Sequence, residues 1–198
     1  LTQYKGTYLI EKIRAQLERH EPIILGAEHD ARPEAAVLVP LVDYHDGPRV
    51  LLTERAGNLS SHGGEVAFPG GKVDASDKSL QFAALRENEE ELGISAHHID
   101  VICPLRPFIS KFGLRVTPFV GVLAPGIEQS PNPDEIASVF EVPLQFFLDE
   151  APFRIDEFDR HGEFHRVPAF RFEQYEVWGL TAMIVVALIE AAGLIRPE

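Results

Sequence analysis

A mixed β-sheet packed between helices, an α+β arrangement within the broad α/β class, is the fold class the sequence predicts. Two observations carry it. Apolar, β-branched runs outnumber helical stretches along the 198 residues. They also follow one another without the regular βαβ alternation that builds a doubly wound parallel sheet. A chain of this length is expected to form one domain over 1–198 with a full buried core, and no internal repeat or low-complexity tract divides it.

Each element has its own reason. Leu9, Ile10, Ile13 and Leu17 recur at helical spacing, which predicts an amphipathic helix over 5–19 that Pro22 keeps from continuing. "AAVLVPLV" and "RVLLTER" read as strands around the turn-like "YHDGP". "VICPLRPF" and "LRVTPFVGVLA" are again apolar and β-branched, and "APGIEQSPNPDE" is a loop rich in Pro, Gly, Ser and Asn. "IASVFEVPL" follows as a strand, "LQFFLDE" as a short helix, and "FRIDEFDRHGEFHRVPAFRF" as a hairpin around His161 and Gly162. "WGLTAMIVVALIEAAGL" closes as a mostly buried helix, with Gly193 near its end.

Composition narrows the function classes. With 45% hydrophobic and 25% charged residues the chain is ordinary for a soluble globular protein. A formal net charge of -13, with no Lys/Arg-rich stripe, argues against a nucleic-acid partner. No apolar run reaches the ~18 residues of a membrane span, and no secretory leader pattern is seen. Cys103 is the only cysteine; in "VICPL" it reads as a core thiol, and a reducing, cytoplasmic setting is expected. A homodimer is left open.

The chemistry concentrates in "GGKVDASDKSLQFAALRENEEELG", Gly70 to Gly93. Asp77 is placed to cap a helix starting near Lys78, and Gly93 to end it. At 100° per residue, Ala84, Glu87 and Glu91 fall within about 40° of Leu80, and Glu90 about 80° round. The stripe that should face the core therefore starts apolar and ends in carboxylates, while Glu89 points away. Solvated charge explains Glu89 but not Glu87 and Glu91. Carboxylates crowded in a partly buried place need a cation or protons, and oxygen-only ligands suit Mg²⁺ or Mn²⁺. "FPGGK" ahead of the helix lets backbone approach a ligand with no side chain between, so a Gly70 or Gly71 carbonyl is a further donor. Arg86 is placed to pair with a neighbouring carboxylate and fix its rotamer.

These residues resemble the Nudix box, G-x5-E-x7-R-E-U-x-E-E-x-G-U, with U bulky and apolar. Arg86 to Ile94 matches the second half except for Asn88 at a U position. In the first half Asp77 stands for Glu, and eight residues instead of seven separate it from Arg86. "LLTERAGNLSSHGGEVAFPGG" is similar to the motif ahead of the box in Nudix coenzyme A pyrophosphatases, LLTxR[SA]-x3-R-x3-G-x3-FPGG. Ser60 replaces its second Arg, removing a positive charge near the substrate. The resemblance spans about residues 35–185 and implies a Nudix fold whose box region is 70–94.

The resemblance also implies metal-dependent hydrolysis of a nucleoside diphosphate linked to another moiety. Coenzyme A would be cut to 3′,5′-ADP and 4′-phosphopantetheine. Glu87 and Glu91 are then the principal ligands, Glu90 a ligand or water-activating base, and Gly70 or Gly71 a carbonyl ligand. Glu135 is the candidate for a base or added ligand from outside the box, or else a solvated loop carboxylate, with Asp134 and Glu141 behind it. Arg55, Lys111 and Arg115 are candidate cations for the 3′-phosphate, and His62 for a phosphate contact or a positioning role. The i,i+4 pair His161 and His165 suits zinc only on a helix, not in a hairpin. His97 and His98 read as solvated, and Trp178 and Phe153 as core. NADH or ADP-ribose as substrate, and a binding module with a vestigial site, are the alternative readings.

Overall fold

The structure is a computed structural model that describes residues 6–21, 31–57, 63–160 and 163–194. Its elements begin with α1 (Gly6–Leu17), β1 (Glu34–Tyr44), β2 (Gly47–Arg55), β3 (Val66–Ala67) and β4 (Gly70–Lys72). Next come α2 (Leu80–Leu92), a short 3-10 turn, β5 (Asp100–Pro104), β6 (Phe108–Ile109), β7 (Arg115–Leu123) and β8 (Ile136–Pro143). The chain then runs through α3 (Leu144–Asp149), β9 (Arg154–Arg160), β10 (Glu163–Phe172), β11 (Tyr175–Val177) and α4 (Gly179–Ala191). The first eight strands form one mixed sheet, and β9, β10 and β11 form a second, three-stranded one.

The main sheet lies between helices because its central strands are apolar on both faces. Ala36, Leu38 and Val42 of β1, Leu51 of β2, and Phe119 and Leu123 of β7 pack with Ala83, Ala84 and Leu92 of α2. The alternate residues Val39, Leu41, Val50, Leu52 and Val120 pack against α1, α3 and α4 on the other face. Runs such as "AAVLVPLV" therefore need two helical layers, which is why they are continuous instead of alternating with polar residues. In α1 the four predicted residues Leu9, Ile10, Ile13 and Leu17 are all buried.

β1 is the axis of the sheet. One edge runs parallel to β7 from Glu34↔Arg115 to Val42↔Leu123. The other edge is shared: β2 holds it over Leu41 to Tyr44, and β4 takes it over Ala35 to Val37. Leu38 N–H donates to Pro69 O at 2.9 Å between these two stretches. β4 thus sits where β2 has turned away from β1, and this puts Gly70 and Gly71 beneath α2.

Three expectations are corrected. Asp77 does not cap α2; Ser79 does, its Oγ accepting from Phe82 N–H at 3.1 Å. Phe153 is 42% exposed instead of core, lying against the guanidinium groups of Arg154 and Arg171. Trp178, also expected in the core, is half-buried and lines a cleft. Gly93 ends α2 as predicted, in the left-handed region at φ 68°, with its N–H on Glu89 O. Cys103 is buried, and burial pushes its thiol up to about 11.

Candidate active site around the glutamate helix

The last two turns of α2 face β4. Glu91 is only 2% exposed. Its Oε2 accepts the Gly70 N–H at 3.1 Å, and its Oε1 lies 3.4 Å from Arg55 Nη1 at the end of β2. What Gly70 gives Glu91 is thus an amide hydrogen. Glu87 lies one turn earlier against Gly71: a Cβ there would come within 2.5 Å of the Glu87 carboxylate carbon. Only a residue without a side chain lets strand and carboxylate approach so closely.

Arg86 is the hub that holds this end of the helix. Its Nε and Nη2 donate to the two oxygens of Asp77 at 2.9 and 3.0 Å, a two-pronged pair. Nη1 meets Glu87 Oε1 and Glu90 Oε2, each at 2.9 Å, and Nη2 also reaches Lys72 O at 3.3 Å. Hydrogen bonds from Arg86 hold Asp77 below the usual carboxylate range, and Asp77 in turn holds the guanidinium above its own. The carboxylate that sequence reasoning assigned to the helix cap is therefore the one that orients Arg86. Its signal was present in the sequence, since Asp77 stands where the box has its first acid.

Burial sets the electrostatics. Desolvation pushes Glu91 up to about 7 against the pull of the Gly70 N–H and Arg55, with Glu135 and Glu87 pushing the same way as burial. Desolvation also raises Glu87; Arg86 opposes it, while Glu90 and Glu135 add to it. Glu135 lies in the turn just ahead of β8, where its carbonyl accepts the Ala56 N–H at 2.8 Å. Among the described residues no three acidic, His or Cys side chains form a ready-made metal cage. Even so, the donors fit a hard divalent cation: oxygen-only, short of compensating charge, and set against glycine backbone.

The remaining candidates are distributed as follows. Arg55 joins the cluster through Glu91. Lys111 pairs with Glu65 at 3.7 Å, and Arg115 with its cross-strand neighbour Glu34. Glu141 accepts from Tyr44 OH at 3.5 Å, and Asp134 N–H donates to Asn132 Oδ1 in a local turn. His62, Ser60 and His161 lie outside the described residues. Asn88 is fully buried, with Nδ2 donating to Ile94 O at 2.9 Å. The box's apolar position is thus filled by a buried, hydrogen-bonded residue that ties the helix end to the following chain.

A family profile described as NUDIX domain matches residues 32–164. The chain is 43% identical over 161 residues to the uncharacterized Nudix hydrolase NudL of Photorhabdus laumondii subsp. laumondii, covering 81% of this chain and 86% of that one. It is 43% identical over 163 residues to the chloroplastic Nudix hydrolase 22 of Arabidopsis thaliana, covering 78% of this chain and 54% of that protein. Among solved structures, a C. elegans Ap4A hydrolase binary complex aligns with a TM-score of 0.49 at 20% identity, covering 57% of this chain and 81% of that one.

Proposed function

Because the chain belongs to the NUDIX domain family, we propose that it is a divalent-cation-dependent pyrophosphohydrolase whose substrate is coenzyme A or a derivative, cut to 3′,5′-ADP and 4′-phosphopantetheine. The observation that carries this reading is the meeting of Arg55 with Glu91 beside Gly70. It joins the LLTER stretch, the FPGG turn and the box into one site, and these are the stretches that resemble the coenzyme A-directed motif.

Glu87 and Glu91 would hold the cation, and a backbone carbonyl of Gly70 or Gly71 would serve as a further donor. A divalent cation bound there neutralises pyrophosphate charge and lowers the pKa of a water. Arg86 keeps Glu87 and Glu90 in place through Asp77 and Lys72 O. Arg55 presents a fixed positive charge to the phosphates. The proton of the attacking water passes to Glu135 or Glu90, and the larger loss of kcat between Glu135→Gln and Glu90→Gln identifies which. Lys111 and Arg115 reach a 3′-phosphate only by exchanging their acidic partners for it.

Incubation with coenzyme A and Mg²⁺ or Mn²⁺, with NADH and ADP-ribose alongside, tests the reading by chromatography. Cation-dependent 3′,5′-ADP, formed faster than products from the other two substrates, supports it. Preferential cleavage of NADH or ADP-ribose favours the second reading, which rests on Ser60 in place of the motif's second Arg.

A further inference from the structure

On the opposite face of β2 from Glu91 lies a cleft of ≈ 350 Å³, where the three-stranded sheet meets the main one. Adjacent strand residues point to opposite faces: Arg55 reaches Glu91, while Glu54 lines this cleft. Gly64 also lines it, and its N–H donates to Arg55 O at 2.9 Å, so cleft and catalytic cluster meet at one strand end.

The lining has a definite chemistry. Glu54 accepts from Ser138 Oγ at 3.0 Å, and Tyr175 OH donates to the same Ser138 while its ring stacks on Phe140. Arg154, the only cation among the described lining residues, is already bound at both edges of its guanidinium: Asp156 takes Nε and Nη2, and Glu176 takes Nη2 at 2.7 Å. Glu54 and Glu176 therefore leave the lining net negative. The Gln174 amide and the Trp178 indole N–H have no hydrogen-bond partner among the described residues. A phosphate is repelled here, whereas an uncharged group with amide N–H and C=O finds acceptors in Glu54 and Gln174 and donors in Gln174 and Trp178.

We propose that this cleft receives the neutral, amide-bearing pantetheine arm of the substrate, and that the adenosine with its 3′-phosphate lies away from it. The assignment rests on the coenzyme A reading and adds a direction to it. The substrate's two ends differ by charge, and a negative, amide-matching cleft at one end of the site sorts them. Glu54, Gln174 and Trp178 are then specificity residues for the arm.

Trp178 is the only tryptophan in the chain, so its fluorescence reports on the cleft alone. The intact protein is titrated in chelator, once with 4′-phosphopantetheine and once with 3′,5′-ADP. A saturable change with the first ligand and none with the second is expected. A change with 3′,5′-ADP, or with neither, overturns the proposal. In parallel, Gln174→Ala, at an exposed turn position with no internal bond to lose, is expected to raise KM for coenzyme A about tenfold through loss of an amide contact. An unchanged KM also overturns the assignment. If the wild-type chain leaves coenzyme A uncut, the substrate reading fails instead, which the hydrolysis control shows separately.

Discussion

Replacing Glu91 by Gln tests both the electrostatics and the chemistry of the site. Glu91 is almost fully buried, and its carboxyl is pushed from its ordinary 4.5 to about 7. Its folded form therefore keeps a proton that the unfolded chain releases between those values. By linkage this stabilisation is present at pH 4.5 and below, and is lost as pH rises through about 7. The shift corresponds to roughly 3 kcal/mol at most, at 1.36 kcal/mol per tenfold change. Gln keeps an oxygen for the Gly70 N–H and removes the titration, but Arg55 loses an ionic partner, which trims the gain. In chelator at pH 8, Glu91→Gln is expected to unfold at higher urea, stabilised by about 1–3 kcal/mol, and at pH 5 to match the wild type. With cation and substrate its turnover falls at least ~10²-fold. A variant whose stability follows the same pH slope as the wild type would refute the view that Glu91 is strained by burial. Near-normal turnover would remove it from the mechanism.

Other expectations follow from the same contacts. Mg²⁺ or Mn²⁺ should raise the melting temperature more at pH 8 than at pH 6, because cation and proton compete for the same carboxylates; equal shifts would count against binding at Glu87 and Glu91. Gly71→Ala drives a methyl into the Glu87 carboxylate, so turnover should fall by at least ~10-fold while circular dichroism stays native; unchanged rates would mean that Glu87 moves aside without consequence. Arg86→Lys keeps the charge but loses the fork that joins Asp77, Glu87, Glu90 and Lys72 O. A kcat lower by about 10–10²-fold is expected, with Asp77→Asn having a smaller effect in the same direction.

The main sheet was legible because its signal is local: "AAVLVPLV", "RVLLTER" and "LRVTPFVGVLA" are runs long enough to be recognised and became β1, β2 and β7. The two- and three-residue strands β3, β4 and β11 were not, since a strand that short exists only through its partners. β4 is the instructive case. "GGK" has no strand character, yet the edge of β1 vacated by β2 recruits it. The acidic stripe of α2 was visible from helical angles alone. The role of Asp77 was misassigned because an acid just ahead of a helix has two uses, a cap or a distant partner, and only tertiary structure decides between them. Asn88 illustrates the same limit: whether a polar residue near a helix end is wet or buried depends on what the following turn offers it, here Ile94 O.

The seating of β4 on the central strand also has a mechanical consequence. Gly70 and Gly71 pair with Val37 and Ala36, and Val73 N–H donates to Glu34 O. Releasing this arm of the site means unzipping β4 from the middle strand, so the amides of Gly71 and Val73, which face β1, should exchange with deuterium far more slowly than the Lys72 amide, which faces away from it. The cation end of the site is then a rigid anvil, as slow to yield as the core itself. Accommodation of substrates of different shape falls to the structure around it, the three-stranded sheet and the segment that carries Lys111.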